Sequence, residues 1–435
     1  MLHQLQPFIG KRSPVRLLWH RGKAFAAAVR YGFPARRLAV IGITGTDGKT
    51  TTVGMTAHIL HKAGLPVGAL STAFFRVKET VTWNATQKTS PSPFVVQRFL
   101  RSLVDAGCTH AVIEYSSHGL VQGRLDWTWP SVAAITNTSE EHLDYHGTME
   151  QYRADKGILF RMLRRRGVKV LNRGDATYDL YRSLSSGQTT AYGSAPVEAG
   201  DAPTLGLEKV TATPTSVSAI IQASGFNAEK QLVHLTVPVP GVFNLENALA
   251  AIACAEACGI SIPRSVEALA SFTGIPGRME PVDEGQSFSV FVDFTVTPVS
   301  YQRTLSTLRS LLKSPHRLLV LTGSCGDRMK EKRPVVGRIC SDLADVVVVS
   351  NEDPYTEDPE KIIDEVWAGI DQKKTEAHRI SDRREAIRFL LQEAKKGDIV
   401  LLCGKGSDTT MWVKDGQIPW NEREIVRSML KETQS

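Results

Sequence analysis

Leu38-Ala-Val-Ile-Gly-Ile-Thr-Gly-Thr-Asp-Gly-Lys-Thr-Thr-Thr52 decides how the rest of the chain is read. A short apolar run reads as a buried strand and breaks into glycines, then into Lys-Thr-Thr and a stretch, Val53 to Leu60, that suits a helix. Strand, glycine loop and helix start make an anion site, because backbone N–H groups converge on a phosphate and the helix dipole favours negative charge. In that reading Lys49 reaches the β- and γ-phosphates, and the Thr50 hydroxyl ligates Mg²⁺. Gly45, Thr46, Asp47, Gly48 and Thr51 complete the cradle. Ile43 stands where the generic P-loop pattern has its first glycine; the glycines are Gly42, Gly45 and Gly48. The plain alternative is a glycine turn with a chance Lys-Thr, and the flanking pattern weighs against it. An ATP site is expected.

Outward from that stretch, 435 residues suffice for two or three domains, each with its own core. A hydrophobic fraction of 42% and a charged fraction of 22% are ordinary for a soluble protein. A formal charge of +7 is mild at this length, suits anionic small molecules as well as nucleic acid, and decides little. The six cysteines, Cys108, Cys254, Cys258, Cys325, Cys340 and Cys403, are scattered without a Cys-x-x-Cys pair, as expected of reduced cytoplasmic thiols. No apolar run is long enough to span a bilayer and no signal peptide is visible. A cytoplasmic monomer with no nucleic-acid partner is expected.

Met1 to Arg37 contains no Asp or Glu and many Lys or Arg. Val15 to Phe33 suits a basic amphipathic helix, with Leu17, Leu18, Phe25 and Val29 on or near one face. Packing on the nucleotide domain is the preferred reading, a membrane-surface contact the second. A transit peptide is disfavoured, because the segment is not Ser-rich and runs straight into the first strand. From Leu38 strands and helices alternate as in a doubly wound, mainly parallel sheet. His110 to Tyr115 and Val132 to Asn137 are short apolar strands ending in polar residues, where such sheets place their sites. Thr204 to Val239 alternates Thr, Val and Ser and suggests a small antiparallel insertion; Asn244 to Cys258, rich in Ala, returns to helix. Gly274-Ile-Pro-Gly-Arg278 is a Gly/Pro turn between two periodic regions. Beyond it, Ser289–Asp293, Arg317–Thr322, Asp345–Ser350 and Asp398–Cys403 read as four more buried strands. The division is a basic N-terminal segment 1–37, a central P-loop domain 38–276 and a Rossmann-like α/β domain 277–435.

Glu114 closes one strand, and hard oxygen near nucleotide phosphates suits Mg²⁺. His142 and Lys156 follow the next strand; read alone, each is an ordinary polar residue. The P-loop variant Gly-x-x-Gly-Thr-Asp-Gly-Lys-Thr resembles that of the Mur ligases and folylpolyglutamate synthases, with Asp47 where Asn is usual. Asn-x-x-x-x-His-Leu-Asp-Tyr-His-Gly-x-Met-x-x-Tyr-x-x-x-Lys, ending at Lys156, is similar to the Mur ligases, above all those that add the third amino acid of the peptidoglycan stem.

The resemblance implies that Lys156 is carboxylated by CO₂ and, with His142 and Glu114, holds a second Mg²⁺. It implies that Asn247 approaches adenine, Arg278 the ATP phosphates and Asp293 the ribose. Asp293-Phe-Thr-Val-Thr-Pro298 departs from the usual Asp-Tyr-Ala-His-x-Pro, since Val296 replaces the histidine. Thr89, Ser90, Ser116, Gln122 and Arg124 match the segments that hold the muramyl peptide. Arg328, Glu352, Asp353, Tyr355, Gly404 and Asp408 fall in the amino-acid pocket. The diaminopimelate enzymes carry Asp-Asn-Pro-Arg where this chain has Glu352-Asp-Pro-Tyr355, so a side chain ending in a cation is expected over diaminopimelate. Tripeptide synthetases normally begin with a UDP-binding domain, for which 1–37 is too short. A weakly held or absent uridine end is therefore expected.

These implications amount to an ATP-dependent ligase that joins an amino acid to a muramyl-peptide carboxylate through an acyl phosphate. Lys49, Lys156, His142 and Arg278 would serve the chemistry. Related ligases of the cyanophycin or folylpolyglutamate type, a lipid-linked acceptor and a noncatalytic nucleotide-binding scaffold stand as alternatives.

Overall fold

The computed structural model describes residues 12–184, 187–196, 202–225 and 231–432. It divides into two compact units, one of Met1–Thr211, Val217–Pro238 and Asn244–Phe272, the other of Ala212–Ser216, Val239–Phe243 and Thr273–Ser435.

The first unit is built on one eleven-stranded sheet. Its central strand, Ala39–Thr44, runs parallel to His110–Glu114 on one side and Val132–Ile135 on the other. The register sets Ile43 beside Glu114 and Thr44 beside Ile135, so three strands end together. That shared carboxyl edge is where the sequence placed its polar residues. Val67–Leu70 and the hairpin Phe74–Val77/Thr80–Trp83 complete one flank. Val168–Asn172 and Gln188–Tyr192 extend the other. The Thr/Val/Ser stretch was expected as an insertion. It supplies the antiparallel pair Val217–Ser224/Gln231–Val237, which with Thr204–Ala212, parallel to Gln188–Tyr192, extends the same sheet. Val40, Ile113, Ile135, Leu100 and Leu171 form a core on one face.

The N-terminal helix spans Pro14–Arg30, capped by Ser13, whose hydroxyl accepts from the Arg16 N–H at 3.3 Å. It packs within the first unit, against the helix Pro93–Asp105, as preferred, but through its alanines. Ala24, Ala27 and Ala28 face inward, while Leu18, Phe25 and Val29 are 73%, 50% and 52% exposed. Small alanines let the helix axis lie close to its support, and the large apolar residues point away.

In the second unit, Ser289–Asp293, Ile399–Cys403, Leu318–Thr322, Val346–Val349 and Glu376–Arg379 are neighbouring parallel strands, with Glu280–Pro281 antiparallel at one edge. Alternation along a strand divides its side chains between two faces. Leu318 and Val320 pack with Leu305 and Cys340, whereas Leu319 and Leu321 pack with Ile387 and Val426. Helices Pro298–Leu311, Lys332–Leu343 and Pro359–Trp367 thus cover one face, and Arg383–Glu393 and Glu422–Glu432 the other. Mixed α/β architecture holds throughout.

Candidate active site

The glycine loop lies between Thr44 and the helix Lys49–Lys62. Gly45 has φ +148°, and a Cβ there would meet Thr136 Oγ1 at 1.8 Å. Gly48, with φ +79°, would meet Asn247 Oδ1 at 2.2 Å. Neither position tolerates a side chain. The chain after Val132–Ile135 braces the loop: Thr46 N–H donates to Asn137 O at 2.8 Å, Asp47 N–H to Asn137 Oδ1 at 3.1 Å, and Thr136 Oγ1 to Asp47 O at 2.6 Å. No side chain caps the start of the helix, and such a positive end suits an anion. Lys49 Nζ donates to Thr46 O at 2.7 Å, folded over the loop that it is expected to serve.

Beside the loop, Thr50 Oγ1 donates to Glu114 Oε2 at 3.0 Å. Glu114 also accepts from Thr72 N–H at 2.7 Å and from Thr72 Oγ1 at 3.0 Å. Thr72 Oγ1 is 2.9 Å from Thr89 Oγ1. One buried carboxylate therefore joins the nucleotide loop to the segment expected to hold the acceptor. Ser90 and Ser116 hydroxyls lie 3.0 Å apart. Arg124 donates to Ser90 O at 2.9 Å and, through Nε and Nη2, to Gln122 Oε1 at 2.9 and 2.6 Å. Two of its nitrogens thus converge on one oxygen of Gln122, and burial pulls its pKa down.

Lys156 ends the helix Met149–Lys156 and is wholly buried. Its Nζ donates to Gly45 O at 2.6 Å and sits 4.3 Å from the centre of the Tyr152 ring. Burial, then repulsion from Lys49, holds its pKa well below that of an ordinary lysine, outweighing Asp47, Asp175 and Glu141. His142, with φ +59°, stands edge-on to His118 at 4.8 Å. Burial, then repulsion from His118, Lys156 and Lys49 were it to become charged, pulls the pKa of this imidazole well below its usual value. Among the described residues no three His, Cys, Asp or Glu side chains gather as a ready metal cage.

Asn247 packs against the loop, accepting from Thr52 Oγ1 at 3.4 Å and donating to Asn244 Oδ1 at 3.0 Å. Asp293, expected at ribose, has its oxygens engaged by Met279 N–H at 2.6 Å and by the Thr295 hydroxyl. Arg278 lies 4.4 Å from the Phe294 ring centre. The backbone around it is close-set, since a Cβ on Gly277 would meet Ser407 N at 2.0 Å.

The second unit brings Glu352, Asp353, Tyr355, Gly404 and Asp408 together, and overturns the electrostatic reading of that pocket. Glu352 is buried, accepts from Cys325 Sγ at 3.0 Å and leaves room only for glycine at Gly404. Asp353 accepts from Lys405 Nζ and from Trp412 N–H, both at 2.8 Å. Asp408 is 3.3 Å from the same ammonium. Asp353 and Asp408 thus face a buried lysine, and Glu352 is buried against a thiol, so these acids offer no open charge to a substrate cation. Tyr355, with φ +51°, stacks on Trp412 at 5.4 Å, and the Arg328 guanidinium lies 5.2 Å from the Tyr355 ring centre.

Thr72, Thr136, Asn137, Tyr152 and Lys405 are structural members of these clusters that the site reading did not name. Tyr152 and Asn137 stood inside the quoted motif, and the four-residue spacing of Tyr152 and Lys156 puts both on one helix face. Thr72 carries no signal; only folding sets it beside Glu114.

Comparison with known proteins agrees with the two-unit arrangement. The profile of the Mur ligase middle domain matches residues 43–255, and that of the Mur ligase glutamate ligase domain matches 277–406. The UDP-N-acetylmuramoyl-L-alanyl-D-glutamate–2,6-diaminopimelate ligase of Geobacillus thermodenitrificans is 36% identical over 95% of this chain and 83% of its own length. The UDP-N-acetylmuramyl-tripeptide synthetase of a Roseiflexus species is 35% identical over 93% and 81%. A solved diaminopimelate ligase of the same description superposes with a TM-score of 0.63 at 29% identity, over 92% of this chain and 79% of that one. Both domains matched in order, and identity sustained along nearly the whole chain, show that it belongs to the Mur ligases, ATP-dependent ligases that form amide bonds.

Proposed function

We propose that the chain joins an amino acid to the free carboxylate of a muramyl dipeptide in peptidoglycan precursor synthesis, as the names of its relatives describe for those proteins. One observation carries the reading: Thr50, Glu114, Thr72 and Thr89 form a continuous relay between the phosphate loop and the acceptor segment. A ligase that activates a carboxylate by phosphoryl transfer needs those sites adjacent, because the carboxylate oxygen attacks the γ-phosphorus in line. ADP leaves; the amine of the amino acid then attacks the acyl phosphate carbonyl, loses its proton and expels phosphate. Lys49 and Arg278 counter the charge that develops on the phosphoryl oxygens. Ser90, Ser116 and Arg124 orient the acceptor.

The Thr50 hydroxyl and the Glu114 carboxylate fit Mg²⁺, which takes one or two protein oxygens and arrives with its phosphates. When bound, the ion screens the negative charge that the attacking carboxylate must approach. Lys156 suits carboxylation because burial and Lys49 push its amine toward the neutral, nucleophilic form, and a carbamate would add hard oxygens that suit Mg²⁺. With Glu352 and Asp353 answered internally, the incoming amino acid is diaminopimelate, and Arg328 pairs with its distal carboxylate in place of the missing loop arginine.

The test supplies ATP, Mg²⁺ and UDP-muramyl dipeptide with equal meso-diaminopimelate and lysine, followed by phosphate release and product mass. Release that requires both acceptor and amine, with a diaminopimelate product, is expected. Release without acceptor sinks the ligase reading. A lysine product overturns the assignment of the amino acid and of Arg328.

A further inference from the structure

We propose that the helix Pro14–Arg30, with the aromatic cluster beside it, docks on an anionic lipid surface. Val15, Leu18, Trp19, Phe25 and Val29 are all exposed. Their spacing of three or four residues, closed by Gly22 and Ala26, gathers them on about a third of the helix circumference. Arg21 borders this stripe on one side and Arg16, Lys23 and Arg30 on the other. The segment from 12 to 37 itself contains no Asp or Glu, the acid beside Arg21 being Asp126 on another segment. An apolar stripe with basic margins is the pattern of a helix lying in the headgroup plane, apolar face down.

A second observation extends the same surface. Phe25 lies 5.4 Å from Trp127, and Phe33 lies 5.8 Å from Trp127 and 6.0 Å from Trp129, all partly exposed. Trp127 and Trp129 are held at positive φ, an uncommon backbone for such bulky residues. The Arg36 guanidinium sits 4.8 and 5.3 Å from the Phe33 and Trp129 ring centres. Tryptophan and arginine together suit the boundary between acyl chains and headgroups, where one end of the side chain is dry and the other wet. Charge complementarity selects the occupant, since cations on both margins match anionic headgroups. No helix of the described residues is long and apolar enough to cross a membrane, so the contact is peripheral.

The experiment sediments the full chain with vesicles of phosphatidylglycerol mixed with phosphatidylcholine, and with phosphatidylcholine alone. Binding to the anionic vesicles that falls with added salt is expected. Leu18→Glu with Phe25→Glu, and separately Arg21→Glu with Lys23→Glu, should each weaken it about tenfold or more. Ligation of soluble substrates should stay unchanged, which keeps misfolding apart from lost docking. Absence of anionic-vesicle binding at low salt overturns the proposal, as does equal binding to phosphatidylcholine alone. Concentration-dependent dimers by light scattering that Leu18→Glu dissolves would assign the stripe to a second copy of the chain and overturn it as well.

Discussion

Lys156 shows what burial does to a single residue. Surrounded by protein and repelled by Lys49, its amine is pushed toward neutrality, and a neutral amine can capture CO₂. Lys156→Ala should cut ligation by ~100-fold or more, as loss of a group that stabilises charge does. Small carboxylic acids should restore part of the rate, and full activity in the variant would end the carbamate reading. Asp408 shifts the other way. Burial, augmented by Asp353, outweighs Lys405 and raises its carboxyl to about 6. A raised carboxyl contributes stability below its ordinary pKa of ~3.9 and loses that contribution as pH rises through the folded value. Asp408→Asn should therefore flatten the decline in urea stability between about pH 4 and 6. An unchanged slope would mean the shift belongs to another group. At this scale the sequence revealed residue types fixed in a motif, such as Lys49 and Lys156. It concealed residues such as Thr72 and Lys405, whose roles arise only where distant loops meet.

Among the elements, the P-loop is the most constrained. Gly48→Ala faces a left-handed backbone, costing roughly 1–2 kcal/mol, and an overlap with Asn247 Oδ1. The KM for ATP should rise about tenfold or more. Asn247→Ala should relieve only the overlap, so the double variant should recover in part; complete recovery would show that φ is not limiting. The helix Lys332–Leu343 has its own anchor. Arg333 is fully buried and donates to Glu357, Glu365 and Cys325 O. Arg333→Ala takes this partner from the partly exposed Glu357 and Glu365, though Lys330 still reaches Glu357 at 2.9 Å, and should cost ~1.5–3 kcal/mol in urea unfolding; a cost below ~1 kcal/mol would deny it that role. Buried strands were legible because their apolar runs are uninterrupted, as in Val346–Val349. Glu376–Arg379 escaped notice because an edge strand with polar, half-open faces carries no such run. The hairpin Thr410–Val413/Gly416–Pro419 escaped for the same reason.

On the scale of the whole molecule, alternating strands and helices made the α/β class and its order readable, and each unit contains its own core. Which way the N-terminal helix faced was not readable. Its pattern has apolar residues on one side and alanines on another, and only packing decides which side is covered. The helix also carries a tether. Just ahead of its first turn, Arg12 reaches Asp155 at 2.5 and 3.0 Å, and Asp155 in turn holds His146 at 2.6 Å. Asp155 is the immediate neighbour of Lys156 in the chain. A pull on the helix is thus delivered one peptide bond from Lys156. If the tether couples the two ends, docking of the helix and ligand binding beside Lys156 must alter each other's affinity by the same factor. Anionic vesicles should accordingly change the ATP affinity of the wild-type chain and leave that of Arg12→Met unaltered, while both sediment equally. Identical responses in the two would cut the tether. If it holds, the surface a cell offers this protein becomes a throttle on its chemistry, with Arg12 as the cable.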